Sequence, residues 1–351
     1  MSEYRSFRIL KGKVSFLIDK RATVVLTVLI LLAAAIFVWS TGLGDMKLSP
    51  LTVLKVLFGG GTDMEKLVIH DFRLPRIIVA LMVGMSLAVA GGILQGMIRN
   101  PLASPDVLGI TGGAAVAVVS FLAFFSDQNN ALTVSIKWMP LAAFAGAGIV
   151  ALLVYFLAWK NGVSPIRLVL IGIGISALMQ GLTTLMMILG PIYRASQANI
   201  WITGTVYGSN WANVATLVPW TVIFLLIAFV MARNINVLEL GDETATGVGG
   251  RVQRHRFLLL LISTALIGSS VAFAGGIGFV GLMAPHMARR LVGSTFGALL
   301  PVSAFIGGIL VMLADIIGRT LFSPFEIPAG VFTAGIGAPY FIYLLFKTRN
   351  G

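Results

Sequence analysis

Long apolar runs alternate with short polar stretches along most of this chain. The runs cover residues 22–40, 77–98, 107–125, 141–159, 168–189, 214–232, 257–274, 279–288, 300–317 and 329–346. A transmembrane helix needs roughly 20 apolar residues, so these predict about ten spans, with 279–288 short for a full crossing. Residues 41–75 read as a mixed loop with Pro50 and Gly59-Gly60-Gly61. Residues 190–212 carry Pro191, Arg194, Trp201 and Trp211 and read as an interfacial loop, and 233–256 as a polar loop. The fold class that follows is an all-α integral membrane protein. A basic arm, 1–21, precedes one transmembrane domain, 22–348.

Composition strengthens this reading. The 351 residues are 58% hydrophobic and 11% charged, with mean hydropathy +0.97. A soluble domain carries about 25% charged residues. The 40 glycines fit helices that approach closely in lipid. The run 22–40 is too long for a cleaved leader and no small-residue cleavage site follows it, so it is expected to stay as the first span. There is no cysteine, and His70, His255 and His286 lack metal-ligand spacing. The net charge of +12 belongs to topology rather than to nucleic acid, because Lys and Arg gather in cytoplasmic loops. Ten spans put both termini on one side. Placing them in the cytoplasm leaves 17 of the 25 Lys+Arg inside, among them Arg5, Arg8, Lys11, Lys13, Lys347 and Arg349.

An internal repeat gives the spans an order. Gly84, Ser86, Ala88, Ala90, Gly91, Gly92, Ile93, Pro101 and Gly109 recur 184 residues on as Gly268, Ser270, Ala272, Ala274, Gly275, Gly276, Ile277, Pro285 and Gly293. Five crossings separate the two copies, so they run in opposite directions. The copies, about 76–189 and 257–347, hold spans 2–5 and 7–10. Inverted repeats are a transporter device, because related halves can open alternately to either side.

Few residues could carry chemistry. Arg73 and Arg76 sit at the outer rim of span 2, either as anchors or as a docking site for an acidic partner. Asp315 and Arg319 are four apart on span 9 and can form a structural ion pair. In 233–256, Asp242 can cap a short helix with Glu243 in its first turn, ended by Gly247, Gly249 and Gly250. A soluble partner could grip such a helix. Asn100 to Pro105 reads as a plain turn. Gln180, Thr183, Met186, Thr333 and Tyr340 could face a pathway or serve as interhelical hydrogen bonds. No phosphate-binding loop, catalytic set or metal-binding cluster is present in the sequence.

Together these motifs resemble the permease subunits of iron–siderophore, haem and vitamin B12 ABC importers. The resemblance covers about residues 20–348. It rests on Arg73-Leu-Pro-Arg76, Gly91-Gly92…Gln95-Gly96…Asn100-Pro-Leu-Ala-Ser-Pro105…Leu108-Gly109, and Gly241-Asp-Glu…Gly247. It also rests on Gly275 to Leu282 with Pro285-His286, Leu313-Ala-Asp315…Arg319, and Pro328…Gly335 to Pro339. It implies a multi-pass subunit of the bacterial plasma membrane, paired as a homo- or heterodimer with the path at the dimer interface, lined by spans 5 and 10. It implies an outer binding protein docking on Arg73, Arg76 and Arg319. A cytoplasmic ATPase dimer, holding the ATP and Mg, would seat on Gly241, Asp242, Glu243, Ala245 and Gly247. This chain would bind no cofactor and catalyse nothing. Ferric siderophores are the expected cargo, with vitamin B12 or haem as alternatives. A secondary transporter would need a protonatable or ion-coordinating cluster at mid-membrane, and the sequence offers only Asp315, near a span end.

Overall fold

The computed structural model describes residues 4–9, 14–44, 46–126, 132–190 and 192–349. Lys11, Lys13 and Pro191, named above, lie outside them, as do the side chains of Arg5, Arg8, Arg194, Lys347 and Arg349. The N-terminal arm forms a hairpin of β1 (Tyr4–Ile9) and β2 (Val14–Asp19), antiparallel with Tyr4 opposite Asp19. All other regular structure described is helical.

Asp19 caps α1 (Lys20–Gly42) by accepting from the Arg21 amide. Ser49 caps α2 (Pro50–Leu57), whose first residue is a proline with no amide to satisfy. Thr62 and Glu65 form a reciprocal capping box that starts α3 (Asp63–Lys66), and a π-helical turn, Leu67–Arg73, carries it into α4 (Leu74–Ile98). The mixed loop 41–75 is therefore largely helical, because these caps satisfy the backbone locally.

Next come α5 (Ile110–Phe124), α6 (Met139–Leu157), α7 (Pro165–Leu189), α8 (Ile192–Thr203) and α9 (Trp211–Val230). The expected interfacial loop is thus mostly helix. The polar loop holds α10 (Ala232–Glu239), α11 (Asp242–Gly247) and the first turn of α12 (Val252–Ala274). The chain ends with α13 (Val280–Val292), α14 (Phe296–Thr320) and α15 (Ala329–Arg349). Among the described residues seven helices are long and apolar enough to cross a membrane, while α5 and α13 have only 15 and 13 residues.

The repeat is visible in the packing. Its first helices, α4 and α12, are the two most enclosed of the long helices. Each packs against the third helix of the other copy: Gly84 of α4 lies on Gly307 of α14, and its counterpart Gly268 of α12 lies on Phe144 and Ala147 of α6. Directions follow from end contacts. Arg76 at the start of α4 meets Asp315 near the end of α14, so these two are antiparallel. Arg99, just past the end of α4, and Arg256, in the first turns of α12, meet at Asp242, so α4 and α12 are antiparallel as well. An inverted repeat requires that arrangement.

Glycine makes these contacts possible. A Cβ on Gly84 would sit 2.2 Å from the Gly307 carbonyl oxygen, and one on Gly91 would sit 1.8 Å from that of Gly281. Overpacking a core costs roughly 1–3 kcal/mol, more where backbone must move. Gly84→Val and Gly91→Val should therefore lower the melting temperature of the detergent-purified protein sharply. Gly174→Ala, with nothing within 4 Å of the added carbon, should leave it unchanged. Equal melting of all three would contradict the packing.

Candidate functional site: two charged faces and a loop at mid-depth

One end of the bundle collects arginines. The Arg73 guanidinium, 8% exposed, donates to the Thr41 carbonyl (2.9 Å) and the Met46 carbonyl (2.6 Å), closing the loop after α1. Arg319, also 8% exposed, donates to the Ser40 carbonyl and hydroxyl and to the Leu43 carbonyl, tying the end of α14 to the end of α1. Arg76 pairs with Asp315 (2.8 Å) and Glu326 (3.0 Å), and its guanidinium lies 5.5 Å from the centre of the exposed Tyr207 ring. The i,i+4 pair of Asp315 with Arg319 is present at 3.5 Å, but Arg319 Nε and Asp315 Oδ2 make no hydrogen bond. Arg76 is therefore the closer partner of Asp315.

The opposite end centres on Asp242. The first residue of α11, it does not cap that helix; Gly241 takes that place, with φ +102°. The carboxylate instead accepts from Arg256 (2.9 and 3.2 Å) and Arg99 (3.1 Å). Arg256 is fully buried and also donates to the Val163 carbonyl, in the α6–α7 turn. Ala245 anchors α11 from beneath, while Glu243, Thr244, Thr246, Gly247 and Val248 stay exposed. Glu239 pairs with Arg289 at 3.4 Å. Burial nevertheless pushes the Glu239 carboxyl above its ordinary range, against the pull of Arg289.

Between the faces, the loop 99–109 does not stay at the surface. Leu108 and Gly109 pack on Gly172 and Ser176 of α7. Ser176 lies eleven residues into α7, about 16 Å along it, near half of the ~30 Å hydrocarbon thickness. The start of α13 reaches the same level, where Gly281 packs on Gly91 and Pro105. Gly109 and Phe279, the residues before α5 and α13, are both left-handed, with φ +73° and +66°. Two half-height helices thus begin in the interior. The plain turn expected at 100–105 is the entry to this loop.

Known proteins match this architecture. The model of the FecCD transport family matches residues 29–347. The chain belongs to the FecCD transport family. Among relatives of this FecCD permease, the "Probable siderophore transport system permease protein YfhA" of Bacillus subtilis is 61% identical over 95% of this chain and 97% of its own. The iron(3+)-hydroxamate import system permease protein FhuG of the same organism is 46% identical over 93% of this chain and 97% of its own. A solved metal-chelate type ABC transporter in an inward-facing conformation superposes with a TM-score of 0.82 at 30% identity, over 93% of this chain and 99% of that one. The chain is a multi-pass transport permease of the bacterial plasma membrane.

The FecCD permease places its expected path residues unevenly. Gln180 is exposed. Thr183 and Thr333 are buried and donate to carbonyls of their own helices, Met179 and Gly330. Met186 lines a small apolar gap of about 10 Å³ with Val119, Leu122 and Ala198. Tyr340 stacks edge-on against His286, ring centres 6.0 Å apart. Threonine hydroxyls inside helices commonly bond back to the preceding turn, and both threonines do so here. Of the arginines expected at the docking face, Arg73 and Arg319 are buried and bond backbone carbonyls. The backbone carbonyls among their partners are announced by no side-chain pattern. Asp106, at the deep loop, was missed because the run from 107 onward suggests a full-length span.

Breaking a buried ion pair by removing one partner costs about 3 kcal/mol or more, whereas exposed pairs contribute under about 1 kcal/mol. Asp315 is 3% exposed; the Arg99 and Asp242 side chains are 35% and 39% exposed. Asp315→Ala should therefore lower thermal stability in detergent far more than Arg99→Gln. The reverse order would contradict the assignment of the arginine face as a structural clamp.

Proposed function

We propose that this permease moves ferric siderophores inward as one subunit of an ABC importer. The carrying observation is the 61% identical relative named for siderophore transport, supported by the superposition on a metal-chelate ABC transporter. The Asp242 face is cytoplasmic and the arginine face external, as the basic residues Arg99, Lys160, Arg167, Arg233, Arg251, Arg254 and Arg290 around α11 favour. A partner ATPase dimer, which holds ATP and Mg, seats on the exposed side of α11. This chain contributes no cofactor to the cycle. A second permease subunit covers the apolar faces of α7 and α15, where Leu170, Ile173, Val331 and Ile336 stand exposed, and the path lies between the two subunits. An extracytoplasmic binding protein docks on the arginine face. There Glu326 and Tyr207 are exposed, the largely covered Arg76 holds them together, and Arg73 and Arg319 fix the helix ends beneath.

The geometry gives this cycle a linkage. Asp242 belongs to α11, yet its two arginine partners follow α4 and begin α12, the leading helices of the two inverted copies. A displacement of α11 by the ATPase pulls on both halves at once. Vitamin B12 or haem import would use the same machinery. An ion-coupled transporter would work without nucleotide, and Asp106 is a lone deep carboxylate rather than the cluster it would need.

Vesicles holding the permease with its ATPase should accumulate a ferric siderophore only when ATP is inside and loaded binding protein outside. Accumulation without nucleotide, abolished by an uncoupler, would defeat this reading. Asp242→Asn removes charge-assisted hydrogen bonds of about 1.5–3 kcal/mol; uptake per ATP hydrolysed should fall at least about tenfold. An unchanged ratio would show that α11 acts through other contacts.

A further inference from the structure

Asp106 is the one carboxylate among the described residues that lies away from both charged faces. Its depth follows from its neighbours. Its carbonyl accepts from the Ser176 hydroxyl at 3.0 Å. A Cβ placed on Gly278, at the start of α13, would come within 4.0 Å of Asp106 Oδ2. The side chain nevertheless remains exposed in the protomer. One oxygen, Oδ1, accepts from Thr111 at 2.7 Å. No described Lys, Arg or His forms an ion pair with it.

An ionisable group at mid-membrane is costly, and such groups face a cavity or a partner. The Thr111 bond explains an acceptor at this position but not a negative charge, since asparagine would accept that bond equally well. The charge therefore points to something that passes or docks beside it. The loop bearing it is wedged between α7 and the start of α13, where both half-height helices begin. In secondary transporters, discontinuous helices meeting at the midplane hold the cargo, and the same arrangement of helix ends is present here. In this low-dielectric setting one carboxylate discriminates strongly by charge.

We propose that Asp106 is a charge-selecting contact for the cargo, which favours ferric chelates bearing an ammonium over neutral ones and opposes polyanionic ones. This rests on the import reading above. The chemical class is a ferric trihydroxamate with a free cationic arm. The ammonium or an amide N–H of such a chelate donates to Oδ2 as it passes the level of Ser176 and Gly278. A catecholate or citrate chelate meets like charge there.

The test compares two ferric trihydroxamates that differ in charge, cationic ferrioxamine B and neutral ferrichrome. Uptake is measured in vesicles containing the whole complex, with ATP and binding protein. Asp106→Asn keeps the acceptor for Thr111 and removes the charge. It should lower the ferrioxamine-to-ferrichrome rate ratio about tenfold, and Asp106→Glu should restore much of it. Taking the ratio within each variant cancels differences in folding and expression. An unchanged ratio in Asp106→Asn would overturn the inference. So would loss of the permease pair on size-exclusion chromatography, which would make Asp106 a subunit contact. If the parent carries a ferric citrate or catecholate chelate but neither hydroxamate, the substrate class is wrong and the import reading stands. If it carries no ferric chelate at all, the import reading falls and this inference with it.

Discussion

Backbone lying directly on backbone holds this molecule together. In lipid the hydrophobic effect does not drive helices against each other, so association depends on packing and on hydrogen bonds between helices. Gly84 on Gly307 and Gly91 on Gly281 bring α4 against α14 and α13 with no side chain between. Ser86 and Thr221 share a hydrogen bond of 3.1 Å across α4 and α9, and the Trp220 indole donates to the Ala265 carbonyl from α9 to α12. Once α4 and α12 are fixed in the centre, the third helix of each copy has one place to go, against the first helix of the other. The two copies interlock rather than stand side by side.

Charge is then confined to the two ends. On the arginine face the cations are held inward by carbonyls and by Asp315, which locks the ends of α1, α4 and α14 into one plate. On the Asp242 face the pairing is more exposed and gathers the ends of α4, α11 and α12 around one carboxylate. The contrast in burial separates a closed plate from a more open pairing around Asp242. Discrete, two-state rearrangements need packed elements of this kind rather than continuous deformation.

The membrane fold was legible in the sequence because lipid leaves little choice of composition, and the repeat because close packing demands small residues at matching positions. Gly84 and Gly268 illustrate this, since each meets the third helix of the other copy, on backbone in one case and on Phe144 and Ala147 in the other. Other features were hidden for specific reasons. Arg73 and Arg319 look like rim charges until the carbonyls of Thr41, Met46, Ser40 and Leu43 are placed around them. Asp242 resembles a helix cap because residue type and position fit one, but its carboxylate is taken up by Arg256 at the start of α12 and by Arg99 from a distant part of the chain. The depth of Asp106 depends on how short α5 is, and apolar runs do not show where within them a helix begins. The helix α8 was obscured by its low apolar content, and the Thr62–Glu65 capping box lay in a segment whose glycines suggested loop.

The account stands on the two copies crossing the membrane in opposite directions, and the absence of native cysteine makes that directly measurable. Single cysteines at Asn161 and Gly249, on the Asp242 face, and at Tyr207 and Glu326, on the arginine face, would be labelled in intact cells with a membrane-impermeant thiol reagent. The account predicts labelling of positions 207 and 326 from outside, and of 161 and 249 only after the cells are opened. Labelling of both faces from the same side of the membrane would contradict it.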